Sequence, residues 1–526
     1  MEKIDKRKIF LIIIIVLILL VIALFVGKFT FSYLGPNISD DASNKGEVTA
    51  SGDTIIFNNG KALTLSATTD NFKTGGTNLT STTNPTAKLV ASSKTNKADA
   101  TYYVGVYIKN NTYTYSTTAK TPEVLLAIKD EKGNNVTSVD GLTYTTSGGV
   151  SGFDVTEKSG LFNVKTDYPI TTTSSTTGTT HTWTFTLTFV NLSTDQSVNE
   201  NANMNIDVVL QQVQYVPPRF DEVCDETTLA CHVAKLYTVT QGENDIYYHD
   251  SSLANGAGDN SYRYSGANPN NYVCFGSTTS PCPTDNLYRI IGVFGDQVKL
   301  IKYDYANSNL LGTDGDYSTN TYSKSSSPYN SSYYKGELTT INSYYWNNST
   351  YKNTWSESNL NKVNLNTNFI NNIRSEWAAK IAETTWKVGG NTSENITSKT
   401  PSVAYQNEIV SPVTTDGATE YSAKIGLMYA SDYGFAAGPS AWTSNLIDYD
   451  GAAIKSVNWM YMGLYEWTIS RRADLSDNVF HVYLDGYVDI GFGGSNFSGV
   501  RPSFNLSSSI TYVSGSGSAN DPIVIN

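Results

Sequence analysis

The heptapeptide Trp183-Thr184-Phe185-Thr186-Leu187-Thr188-Phe189 alternates large apolar residues with threonine without a break. A period of two marks a strand with one buried and one wet face, and threonine on the wet side keeps the β propensity high. The same alternation runs through Tyr102 to Ile108, Val124 to Ile128 and Met204 to Leu210. Turn signals at Asn58-Asn59-Gly60 and Lys132-Gly133-Asn134-Asn135 separate such runs, and no 3.6-residue periodicity intervenes. Residues 47–215 are therefore expected to form an all-β sandwich.

Upstream, residues 9–27 are an unbroken apolar run, and at 1.5 Å per residue a helix of that length spans roughly 28 Å, the thickness of a bilayer core. Lys3, Lys6, Arg7 and Lys8 precede it, which by the positive-inside rule leaves 1–8 as a cytoplasmic stub. The expectation is a single-pass cell-membrane protein with a transmembrane helix at 9–27, a tether at 28–46 and its bulk outside the cell. A cleaved secretory signal is the competing reading, although no Ala-x-Ala-like site or lipobox cysteine follows the run.

Downstream, Val216-Pro217-Pro218-Arg219 opens a linker assigned to 216–223, because paired prolines favour extended chain and cannot continue a sheet interior. The second module, 224–526, reads as mixed α+β. Gly295-Asp296 between two apolar runs predicts a hairpin. Leu365, Phe369, Ile373 and Trp377 predict a helix within about 356–384, and the last residues, from Asp521, a closing strand. The Tyr-, Ser- and Asn-rich stretch 303–354 reads as a long surface excursion.

The 526 residues carry a net charge of −12, with no basic cluster beyond the first few residues, which argues against a nucleic-acid partner. All four cysteines follow the apolar run. Cys224 with Cys231 and Cys274 with Cys282 are the local disulfide pairings, with three connectivities open and a zinc site the rival.

Two resemblances follow from longer stretches. The runs TYYVGVYIKN (101–110), THTWTFTLTF (180–189) and NIDVVLQQVQY (205–215) loosely resemble the β-sandwich subunits of bacterial matrix fibres and pilus-type surface proteins, which implies a stalk or a polymerising unit. From Tyr465 to Ile510, the chain has an aromatic strand with Trp467, an Arg471-Arg472 turn, a polar stretch at 478–498 and the closing Gly499-Val500-Arg501-Pro502. That order resembles an uncharacterised C-terminal domain of surface and phage-associated proteins of gut Firmicutes, and more distantly the C-type-lectin-like fold shared with formylglycine-generating enzymes. The resemblance implies a lectin-like domain over 224–526. The late reactive cysteines of the formylglycine branch have no counterpart here, since none follows Cys282.

No serine-nucleophile elbow, zinc-protease helix, phosphate loop or dinucleotide fingerprint occurs, so no catalytic residue is assigned. No metal ligands or cofactor are assigned either. Asp314-Gly-Asp316 and Asp448-Tyr-Asp450 are candidate calcium turns, though neither matches an EF-hand loop. Binding has the stronger pattern. Read as one strand, Phe480 to Phe492 buries Val482, Leu484, Val488 and Ile490 and presents His481, Tyr483, Asp485, Tyr487 and Asp489, with Asn496 beyond, as a ligand-binding set for a glycan or protein. Trp442, Trp459 and Trp467 read as core. The leading expectation is a non-enzymatic surface adhesin. The alternatives are a structural subunit of an envelope layer or fibre, and a glycan- or cell-wall-acting enzyme with paired carboxylates.

Overall fold

A computed structural model describes residues 45–526, except 51–52, 69–70, 73–75, 92–96, 239–240, 243, 324–333 and 414–417, with backbone alone for 45–50 and 323. The expected stub, transmembrane segment and most of the tether lie outside the described residues. Among the described residues no helix is long and apolar enough to cross a membrane. The chain is mostly β-sheet with few helices, and it divides into two compact units after Pro217.

The first unit contains three antiparallel sheets that contribute to one core. Their strand orders are Lys45–Ala50, Asp53–Asn58, Thr86–Val90, Thr179–Thr182; then Gly160–Thr172, Ala98–Asn111, Asn203–Gln211, Leu63–Ser66; then Leu79–Thr83, Thr184–Phe189, Val124–Lys129, Val150–Asp154, Thr143–Ser147. The alternation at 183–189 is realised directly, with Phe185, Leu187 and Phe189 fully buried beside Val106, Leu126 and Ile206. Each such side chain contributes roughly 1.5–3 kcal/mol through burial. Trp183 is equally dry because its indole N–H donates to the Tyr102 hydroxyl at 2.8 Å. Period two fails on the central strand, where Tyr103 is buried on the opposite face. Gly105 makes room for it, since a Cβ there would lie 2.2 Å from the Tyr103 oxygen.

The second unit begins inside the expected linker. Phe220–Val223 is helical, and Asp221 is hydrogen-bonded to Tyr262, so the prolines end the first unit without leaving an unstructured spacer as far as 223. Cys224–Cys231 and Cys274–Cys282 are the disulfides. The largest sheet runs Asp245–His249, Ser261–Ser265, Leu287–Phe294, Tyr272–Cys274, Ile523–Ile525, Tyr512–Ser514, with Gln297–Lys302 bridging Leu287–Phe294 to Ser503–Asn505. The Gly295-Asp296 hairpin forms with Gly295 at φ +62°, the first position of a tight turn where glycine is favoured.

Two expectations need correction. The helix expected at 356–384 is a π-helix over Leu360–Phe369, continues as Ile370–Asn372, and breaks at Ile373, whose backbone is extended, before a short turn at Ser375–Ala378. Successive apolar residues four apart suit a winding wider than α, and Leu365, Phe369 and Trp377 still reach the core. The described residues of the 303–354 stretch are not a surface excursion either. They contribute strands Tyr317–Ser323 and Thr340–Tyr345, and Tyr322, Tyr344 and Trp346 are buried. Tyrosine-rich sequence can be interior when each hydroxyl finds a carbonyl, as Tyr344 does at Gly312 (3.0 Å) and Tyr322 at Phe497 (2.7 Å).

Candidate functional site

A four-stranded sheet of order Gly390–Asn391, Glu466–Arg472, Asn478–Val482, Val488–Phe492 carries His481 and Asp489, with Tyr483, Asp485 and Tyr487 in the turn between its last two strands and Asn496 beyond them. They do not lie on one strand. The chain folds back as a hairpin in which His481 pairs with Asp489 and Val482 with Val488, and Gly486 takes φ +105° in the turn. Directly paired residues of an antiparallel hairpin share a face, so His481, Tyr483, Tyr487 and Asp489 lie on one side of it and Val482 and Val488 on the other, with Asp485 in the turn.

His481 is buried, the clearest correction to the expected ligand face. Its ring stacks between Tyr465 (5.7 Å, 21°) and Trp467 (5.0 Å, 25°), and Nδ1 lies 3.4 Å from the Ser498 hydroxyl. Burial pushes its pKa down to about 3, so the imidazole is neutral. Tyr483 packs edge-on against His481 (4.6 Å, 73°) and stacks on Tyr487 (4.4 Å, 15°). Both tyrosines are half-buried, and burial raises both hydroxyls, Tyr487 to about 12. Asp485 occupies the turn, and Asp489 accepts from the Ile490 amide at 2.8 Å. Asn496 is exposed, yet its side chain has a local task, accepting from the Phe492 amide at 3.2 Å. The hairpin thus gathers His481, Tyr483 and Tyr487 into one stack and gives Asn496 a turn-closing role.

Sequence reasoning missed the aromatic rim. Val488–Phe492 is the outer strand of its sheet, and Phe492 at its end is 54% exposed. Tyr351 is 56% exposed and sits over Gly494, where a Cβ would lie 2.3 Å from the tyrosine ring. Tyr351 has φ +59°, a left-handed conformation that a bulky side chain adopts only under constraint. Neighbouring asparagines impose it. Asn347 donates to Thr350 Oγ1 (2.7 Å) and the Lys352 carbonyl (2.8 Å), Asn348 to the Gly494 carbonyl (2.5 Å), and Asn353 to the carbonyls of Arg472, Leu475 and Asn478. The positive φ of Tyr351 has no signature in the sequence.

The motifs behind the resemblance are internal ties. Trp467 donates to the Tyr344 carbonyl at 2.7 Å, Arg471 to the Val388 carbonyl at 3.0 Å, and Arg501 to Glu466. Trp442 and Trp459 are likewise core. His249 is fully buried, and burial holds it near pKa 3 while Nδ1 accepts from the Ala257 amide.

In the first calcium candidate the Asp316 oxygens are already engaged. Asp316 is buried and accepts from the Asn348 and Leu360 amides, and among the described residues no three His, Cys, Asp or Glu side chains are grouped to hold a metal ion. A depression lined by Thr354, Trp355, Val388, Glu420, Tyr421 and Arg471 has room for about one water. The chemistry on offer is surface stacking and hydrogen bonding by tyrosine, phenylalanine and asparagine. No family model, no curated protein and no solved structure matches this chain.

Proposed function

We propose that the chain is a membrane-anchored, non-enzymatic surface protein whose second unit, a lectin-like domain, binds a glycan or protein ligand through the aromatic rim of the 478–498 hairpin. The observation that carries this reading is the exposure of Phe492 and of Tyr351, the latter on a strained backbone held out by three asparagines. Strain of this kind costs of order 1–3 kcal/mol and persists where the surroundings over-determine it, typically at binding sites. Tyrosine rings supply large contact area with little ordering entropy, which suits recognition on a flat surface with polar neighbours. Two of the four histidines, His249 and His481, are buried and neutral, which weighs against general-base chemistry at either position.

The first unit is the stalk in this reading, and residues 9–27 are the anchor. Screening the full chain in detergent against glycan and extracellular-protein panels tests the proposal. A saturable ligand lost on Tyr351→Ala with Phe492→Ala supports it, and an empty result on both panels contradicts it.

A further inference from the structure

Lys299 and Asp432 lie 133 residues apart in sequence and meet in the dry interior of the second unit. Lys299 Nζ is 2.5 Å from Asp432 Oδ2, and the two side chains are 5% and 1% exposed. Aromatic rings enclose the amine, with Tyr429, Trp386 and Phe294 centred 4.5, 5.3 and 5.6 Å from Nζ. The carboxylate is held from several sides. Oδ1 accepts from Arg263 Nη1 at 3.1 Å, Oδ2 also accepts from the Tyr429 amide at 3.0 Å, and the preceding residue, Ser431, is pinned by buried Glu408 through its amide at 2.8 Å. Arg263 is paired independently with Asp259 at 2.6 Å.

An ion pair in such surroundings pays a desolvation penalty that its Coulomb attraction only partly offsets. Condensation to an amide removes both charges and leaves the surrounding hydrogen bonds a carbonyl oxygen to meet.

We infer that Lys299 and Asp432 are joined after folding by an intramolecular isopeptide bond between Nζ and Cγ. The Nζ lone pair attacks Cγ, negative charge develops on Oδ1 against the Arg263 guanidinium, and the Cγ–Oδ2 bond breaks. Two of the three ammonium protons end on Oδ2, which leaves as water, so ammonium plus carboxylate becomes amide plus water with nothing oxidised or reduced. Burial supports the step by lowering the Lys299 pKa towards the neutral amine the attack requires, and it also raises that of nearby Glu408.

The test is peptide mapping of the full-length chain, reduced and digested with trypsin. The bond blocks cleavage after Lys299 and joins 290–302 to 425–455 in one branched peptide, lighter by one water than the two together. Asp432→Asn forms the same bond by losing ammonia, so its branched peptide has the wild-type mass, whereas Lys299→Arg yields linear peptides. Wild-type protein that releases 290–299, 300–302 and 425–455 as full-yield linear peptides overturns the inference, as does a branched peptide that survives Lys299→Arg.

Discussion

Arg501 donates from Nε to Glu466 Oε1 at 2.7 Å, and the two side chains are 1% and 2% exposed. A second guanidinium nitrogen reaches the Met460 carbonyl at 2.8 Å. The Arg of Gly499-Val500-Arg501-Pro502 therefore ties Glu466, at the head of the Glu466–Arg472 strand, to the closing segment of the unit.

Removing one partner of such a pair strands the other charge in the interior. Arg501→Met should lower the stability of the second unit by about 3–5 kcal/mol in urea unfolding followed by tryptophan fluorescence. Replacing both, as Glu466→Leu with Arg501→Met, should recover more than half of that loss. Equal losses in the single and double variants would show that the pair is not the source.

Acid should weaken the second unit through its buried histidines. Folded His249 and His481 stay neutral down to about pH 3, whereas the unfolded side chains bind protons below about 6.5. The depressed values make stability fall as pH drops through the window between about 6.5 and 3, with no contribution above it. Each histidine adds at most about 1.4 kcal/mol per pH unit. Urea midpoints at neutral and mildly acid pH should converge in His481→Phe relative to wild type. An unchanged pH slope in that variant would place the titrating group elsewhere.

The Cys224–Cys231 disulfide links cysteines seven positions apart at the entry to the second unit. Loop-closure entropy for so short a ring is worth about 2–3 kcal/mol, and Cys224→Ser with Cys231→Ser should show that loss in the second unfolding transition while leaving the first unit's transition in place.

Tyr351 couples stability to binding. Glycine adopts its left-handed backbone without strain, so Tyr351→Gly should raise or hold stability, with a gain of about 1 kcal/mol, while weakening ligand capture. Thermal melts read the first effect and binding titration the second. A variant that binds as wild type does would remove Tyr351 from the contact surface.

How far the fold was legible depended on the range of the interactions. Trp183 to Phe189 and the Gly295-Asp296 turn carry their structure in local pattern and formed as read, and of the three cysteine connectivities left open the local one formed. The 478–498 hairpin was misread because the alternation of apolar residues continues on both sides of Asp485-Gly486, itself a turn signal, so a fold-back looked like one strand. His481 appeared exposed in that reading, and what buries it are Tyr465 and Trp467, both from outside the hairpin, with Ser498 at its end. The Arg263–Asp432–Lys299 cluster joins residues 169 and 133 positions apart, a distance over which periodicity says nothing.

The most direct test of the binding account compares full-length wild type with the Tyr483→Ala, Tyr487→Ala, Tyr351→Ala and Phe492→Ala variants in titrations against a ligand drawn from the glycan and protein panels. The account predicts at least a tenfold loss of affinity, about 1.4 kcal/mol or more, in the Tyr351 and Phe492 variants, with the fold intact by circular dichroism. Undiminished affinity in all four would contradict it.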